Sequence, residues 1–277
     1  MKKLVILVIA ALAASGGAAA DAQKGGPSTV LNGGRGVVSP NEKIRYVALT
    51  TGQQTIVSFV RTRDGQVLGW RQLRGYFGIP QVALDGTTDG ISRNGRTLVL
   101  ASPAGAGTPS GEVATQFALM DTRTLKLRRL TFPGTWSYDA ISPDGTVLYL
   151  IEYASFGPSV AYKVRAYDLA SRRLLARPIV DRSIGERLMR GWAVTRKTSA
   201  DGRWAYTLYA RAKHEPFVHA LDTVSRRAYC IDVPLNLKRA AQMRLRLAYR
   251  GERMLEVRQG GASVASIDRR TFAVRRH

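Results

Sequence analysis

Chemistry in this 277-residue chain would start from its histidines, its cysteine or a pair of acids, and it has few of these. His214, His219 and His277 are the histidines, and Cys230 is the one cysteine. His214 stands beside Glu215 in a loop closing at Pro216, a juxtaposition suited to acid–base work. Asp139 and Glu152 sit in strand-like runs that would reach a central channel and suit the same chemistry. His214 and His219 are separated across a loop and a strand, which matches no metal-binding motif. Cys230 lies in the strand-like run 227–233 and reads as a small buried hydrophobe. One cysteine makes no intramolecular disulfide, so stability must come from the core and the strand ladders. The chain holds no Gly-x-Ser-x-Gly elbow, phosphate-cradling glycine loop or dinucleotide fingerprint. No catalytic residue, cofactor or metal is therefore assigned.

The elements that must position these residues are short strands broken by turns, repeated five times. The third unit is the sharpest. Ser142-Pro143-Asp144-Gly145 leads into the strand Thr146–Tyr153, then Tyr162–Asp168, then Arg173–Val180. The fourth repeats it with Asp201-Gly202, Arg203–Tyr209, Phe217–Asp222 and Arg227–Val233. Asn41, Asn94, Asp144, Asp201 and Arg250 mark equivalent turns 53, 50, 57 and 49 residues apart. Asn-Gly and Asp-Gly predict two-residue hairpins with positive-φ residues at these turns. Asp121, Asp168, Asp222 and Asp268 each end a third strand and are followed three residues on by Ser or Thr. That pattern reads as turn chemistry in which short polar side chains bond the backbone, not as a ring of metal carboxylates. The first unit is degenerate and places Arg61 where the others place the acid.

Ser142–Tyr149 with Val164–Asp168 resembles the repeat of YVTN-type and WD40-like bacterial β-propellers, and Ser199–Gly202 with Ala220–Asp222 matches it more weakly. The resemblance implies an all-β fold: a propeller of four-stranded antiparallel blades, five in number, over residues 29–277 as one domain. The long stretch 74–90 leaves room for a sixth or seventh blade. Such folds host unrelated functions, so the resemblance carries none by itself.

A meander of strands A to D puts the A–B and C–D turns at one end and the B–C and D–A loops at the other. The first set is short and stereotyped; the second is long and varied, and binding usually lives on such loops. That face gathers Trp136, Arg187, Arg190, Trp192, His214, Glu215, Lys238 and Arg239, with Arg182 and Phe156 nearby. Aromatics mixed with cations suit an anionic or carbohydrate ligand through cation–π contact and charge-assisted bonds. The alternative is that the tryptophans cap the core and the charges are merely solvated.

Residues 1–22 read as a secretory signal: Lys2 and Lys3, the apolar run Leu4–Ala14, then small residues at Ala18–Ala20, with a second cleavage option at Ala22. The run is short for a membrane anchor. Residues 23–28 read as a flexible lead. The formal net charge of +22 favours anionic partners, and arginine far outnumbers lysine, as codon bias also produces. No zinc-finger spacing or aromatic RNA-binding motif singles out nucleic acid. The expectation is an extracytoplasmic binding module for an anionic envelope polymer, glycan, lipid surface or partner protein. The rival is a lactonase-like hydrolase or lyase acting in the central funnel.

Overall fold

The computed structural model describes residues 29–31, 35–106, 111–155, 160–181 and 188–277. The expected leader over 1–28 lies outside them. β1 (Thr29–Leu31) precedes blade 1, which is β2 (Val37–Val38), β3 (Ile44–Thr51), β4 (Gln54–Arg61) and β5 (Val67–Arg74), hydrogen-bonded in that order. After β6 (Ile79–Gln81), blade 2 comprises β7 (Thr97–Ala101), β8 (Ala114–Asp121) and β9 (Leu127–Pro133). Bridges from Ile91 to Leu98 and from Gly78 to Ala101 supply its innermost edge. Blade 3 is β10 (Trp136–Ile141), β11 (Val147–Ser155), β12 (Ala161–Asp168) and β13 (Arg173–Leu174), with β14 (Met189–Arg190) on the far end of β12. Blade 4 is β15 (Trp192–Thr198), β16 (Trp204–Ala210), β17 (Phe217–Asp222) and β18 (Arg227–Asp232). A helical turn, α1 (Arg239–Gln242), leads to blade 5: β19 (Arg246–Arg250), β20 (Met254–Gln259), β21 (Ala262–Asp268) and β22 (Val274–Arg276). The chain is an all-β propeller with five blades, and it realises the WD40-like repeat pattern.

Blades 2, 3 and 4 bury apolar side chains on both faces, because each of them is packed between two neighbours. One core cluster lies between blades 1 and 2 around Tyr46, Val57 and Leu98, and a second between blades 2 and 3 around Phe117, Phe132 and Leu148. A third fills the space between blades 3 and 4 with Tyr149, Tyr162 and Tyr209, and a fourth joins blades 4 and 5 through Leu208, Leu247 and Val257. Among the described residues no such cluster joins blade 5 to blade 1. Blade 1 leaves Leu49 and Trp70 exposed on the face away from blade 2. On blade 5 the corresponding face carries Glu256 between Arg250 and Arg258.

The turns correct one expectation. Between inner and second strands the loop is longer than two residues, and only the glycine has positive φ: Gly95, Gly145 and Gly202 lie at 71–75°. The acid acts through its side chain. In blade 3, Asp144 Oδ1 accepts from Ser142 Oγ at 2.5 Å and from the Thr146 amide at 3.1 Å. In blade 1, Glu42 occupies the glycine position at φ 59°.

The acids ending the third strands behave as read. Asp222 accepts from the amides of Val224 and Ser225, each at 3.0 Å, and from Arg203 Nη2 at 2.6 Å. Asp222→Ala should therefore lower stability by about 2 kcal/mol, since it orphans two amides and a guanidinium. A urea midpoint that does not move would refute this role. The fourth strand expected over 173–180 is reduced to β13 and a bridge from Ile179 to Val164, because Pro178 has no amide hydrogen for the ladder.

Candidate functional site

The stretch 74–90 is not a blade. It is a hairpin that crosses the propeller axis. One arm is β6, paired with β1 on one side and bridged to Thr88 on the other. The Val82 amide donates to Thr87 O at 2.8 Å and the Asp89 amide to Pro80 O at 3.0 Å. At the tip, the Leu84 and Asp85 amides donate to Ala193 O and Val194 O of β15, at 2.9 and 3.1 Å. Ala83 joins the core between blades 3 and 4.

Equivalent positions of the inner strands meet at this axis. Three residues before the turn serines Ser39, Ser92, Ser142 and Ser199 stand Gly36, Asp89, Asp139 and Arg196. Thr88 Oγ1 donates to Gly36 O at 2.7 Å. Arg196 donates to the Asp139 carboxylate and carbonyl, and its Nε to Thr207 Oγ1 at 2.7 Å. Both members of the pair are almost fully buried, at 1% exposure for Asp139 and 3% for Arg196. Burial opposes the charge on Arg196, but the carboxylates of Asp139 and Asp89 outweigh it and keep the guanidinium pKa above its usual value. Burial raises the pKa of Asp89, and Arg196 offsets part of the rise.

Tyrosines fill the surroundings. Tyr138, Tyr162 and Tyr209 are fully buried, Tyr162 lies against Tyr209 at 5.9 Å, and Tyr209 stacks on Phe217 at 5.1 Å. His219 sits beside Tyr209 at 6.4 Å between ring centroids, and burial lowers its pKa to about 4. Among the described residues its Nε2 has no hydrogen-bond partner. The acids singled out for a channel are each claimed by an arginine: Asp139 by Arg196, and Glu152 by Arg165 at 2.7 Å. The axis thus presents tyrosines and an ion pair where funnel hydrolysis would want a histidine joined to a free acid. Among the described residues no group of three or more His, Cys, Asp or Glu is placed to hold a metal ion.

The A–B turns lock together at one end. Arg93 Nη1 donates to Pro40 O, the Asn94 amide to Pro143 O at 2.9 Å, and Asn94 Nδ2 to Asp144 O at 2.7 Å. Gly202 approaches so closely that a Cβ there would lie 2.8 Å from Arg93 Cβ.

At the opposite end the expected residues divide. Trp136 is buried, lies tilted against Phe132 at 5.2 Å between ring centroids, and donates its indole N–H to Pro133 O at 2.8 Å, so it caps the core. Arg187, Arg182 and Phe156 lie outside the described residues. Trp192 is half-buried beneath the Arg239 guanidinium, 4.2 Å from the ring centroid. Arg190 and His214, both exposed, border one pocket of about 210 Å³ with Met189, Arg211, Phe217 and Asp232. Glu215 and Lys238 are exposed beside it in sequence, and the Glu215 carbonyl accepts from Arg211 Nε at 2.5 Å.

Two residues of this face escaped the sequence reading. Arg211 lies 5.0 Å over the Phe217 ring and pairs with Asp232 at 2.6 Å. Gln242 is buried, accepts from the Arg211 amide, and donates to His214 O and Leu237 O, each at 2.9 Å. That one amide ties the loop holding His214 to the segment holding Lys238 and Arg239. Arg211 was legible as a residue of the B–C loop expected over 210–216. Gln242 had no signal, because its partners are backbone groups of distant segments.

No protein-family model matches the chain, and no curated protein matches it in sequence. Among solved structures it is similar to TolB from Acinetobacter baumannii, at 13% identity and a TM-score of 0.44, over 80% of this chain and 50% of that one. It is similar to a putative TolB from Agrobacterium tumefaciens at 14% identity and 0.46, over 90% of this chain and 79% of that one. For the β-propeller domain of Myceliophteria thermophila Cps50 (Swd1) the values are 12% and 0.47, over 88% and 69%. The chain spans half the length of the Acinetobacter TolB chain. The fold assignment rests on the five antiparallel sheets themselves.

Proposed function

We propose that this propeller is an extracytoplasmic binding module whose loop-rich face holds an anionic component of the cell envelope. The observation that carries the reading is the cationic, aromatic patch at that end: Arg239 on Trp192, with Arg190 and His214 at the neighbouring pocket. A guanidinium held over an indole can still offer N–H donors to a phosphate or carboxylate. The overall charge of +22 adds long-range attraction, and the leader-like residues 1–22 support export.

The double variant Arg190→Glu/Arg239→Glu tests the reading by co-sedimentation with vesicles containing an anionic lipid and by retention on a polyanionic glycan. Binding should fall about tenfold or more, with a shallower salt dependence. Arg123→Glu/Arg270→Glu makes the same charge change at the turn end. Equal loss from that control would reduce the interaction to net charge and sink the assignment of the loop face.

A further inference from the structure

We infer that a groove on the outer rim, between the fourth-strand segments of blades 3 and 4, binds a single-chain anionic amphiphile, an aliphatic carboxylate of the fatty-acid class. The groove has a volume of about 540 Å³ and is walled by residues 175–181 of blade 3 and 226–229 of blade 4. It shares no lining residue with the pocket at Arg190 and His214, so it is independent of the function proposed for the loop face.

The groove exists where blade 3 departs from the repeat. Leu174 pairs with Tyr167, and continuing that register would set Arg177 opposite Val164. Ile179 stands there instead, its amide donating to Val164 O at 2.8 Å. The chain therefore bulges at Arg177-Pro178, where a regular fourth strand would run. Arg165 fixes the start of the bulge: its Nη1 pairs with Glu152 at 2.7 Å and its Nη2 donates to Leu175 O at 3.2 Å. The Cys230 amide of β18 donates to Asp181 Oδ2 at 2.7 Å, which ties the two walls together. The groove is thus preformed.

The lining sets the ligand. Ile179 and Ala228 belong to the core between blades 3 and 4, and half-buried Leu175 packs against the same cluster. Pro178 and Val180, both half-buried, add to this aliphatic surface. Tyr229, the aromatic residue of the lining, has its ring against Phe272, 4.8 Å between centroids, so it is not free to stack a sugar or a base. The charges are three guanidiniums, Arg177, Arg226 and Arg227, against one carboxylate, and that one, Asp181, is buried and accepts the Cys230 amide. Arg226 interacts with Asp168 and Tyr149. Arg177 and Arg227, both exposed, make no ion pair or side-chain hydrogen bond among the described residues. Aliphatic walls with two uncommitted guanidiniums fit an apolar chain that ends in a carboxylate, which the arginines take through charge-assisted bonds. The volume falls within the range of about 300–1,000 Å³ of small-molecule sites, so one chain of moderate length is accommodated.

The test uses the purified protein at neutral pH, with octanoate as the probe, butyrate as the same charge on a shorter chain and octylammonium as the opposite charge, followed by calorimetry and melting temperature. Octanoate should bind with a Kd of about 1 mM or below and raise the melting temperature at about 5 mM. Butyrate should bind about tenfold more weakly or worse, because it lacks the methylenes that the groove would bury, and octylammonium should not bind. Arg177→Glu/Arg227→Glu, at two exposed positions, should weaken octanoate about tenfold or more. Arg123→Glu/Arg270→Glu, the same charge change elsewhere, and Arg190→Glu/Arg239→Glu on the loop face should leave it unchanged. Val180→Asn, which makes the wall polar, should weaken octanoate with both arginines in place. Equal affinity for butyrate or octylammonium, or equal weakening in either control pair, overturns the assignment. So does undiminished binding in Arg177→Glu/Arg227→Glu or in Val180→Asn, or no response to octanoate.

Discussion

Arg196→Met should lower the unfolding free energy by about 3–5 kcal/mol, the cost of stranding one partner of a buried ion pair. The magnitude follows from the setting. Arg196 and Asp139 are both nearly inaccessible, and three donor groups of the guanidinium are used, on the Asp139 carboxylate, its carbonyl and Thr207. Removing the cation leaves Asp139 and Asp89 in one poorly solvated region with no opposite charge. Burial, no longer offset by Arg196, then favours the protonated form of Asp89, so the variant should recover part of its stability as the pH is lowered from 7 towards 5. The double variant Asp139→Asn/Arg196→Met should be less damaged than Arg196→Met alone, because the worst stranded charge is gone. Urea unfolding of the wild type, Arg196→Met, Asp139→Asn and the double variant measures this coupling. A single-variant loss below about 1 kcal/mol would mean that the pair is effectively solvated and does not organise the axis.

Acid should destabilise the protein well above the pH at which exposed carboxylates titrate, and His219 is the reason. The imidazole is buried on β17 and its folded-state pKa is about 4, against 6.5 for a free histidine. Burial is the main cause, with the nearby Arg196 acting in the same direction and Asp139 and Asp181 against it. Between pH 6.5 and 4 the unfolded chain takes up a proton that the folded chain refuses. Stability from this residue is therefore complete above pH 6.5 and declines as the pH falls to about 4, by about 3 kcal/mol in total. Below that the loss levels off, since both states are protonated. Asp89 works in the opposite sense, because its raised pKa makes the folded state bind a proton more readily than the unfolded one. The comparison of wild type with His219→Gln isolates the histidine: the variant should lack the decline between pH 6.5 and 4. Parallel pH profiles for the two proteins would show that His219 does not titrate as a buried group.

The repeat was legible because it is local. Each turn from Ser to Gly specifies its own geometry within a few residues. The Asp that ends each third strand satisfies amides two and three positions on, so the same few residues recur wherever the same bend is needed. The loop face was half legible for a related reason. A meander dictates which connections share an end, but not which side chains there face solvent. Trp136, expected on that face, is buried, because Phe132 and the Pro133 carbonyl give its ring and its N–H partners inside the core.

The order of the strands, the four-strand unit and the stereotyped turns were determined by the sequence alone, since alternation and turn chemistry act over neighbouring residues. Tertiary structure decided the rest. Residues 75–90 carry strand-like and turn-like signals that suit a blade as well as a hairpin, and their path across the axis depends on the free carbonyls of Ala193 and Val194, more than a hundred residues away. Asp89, Asp139 and Arg196 look unrelated along the chain. They become one charge cluster because equivalent positions of successive inner strands converge on a propeller axis, where low exposure makes each charge depend on the others.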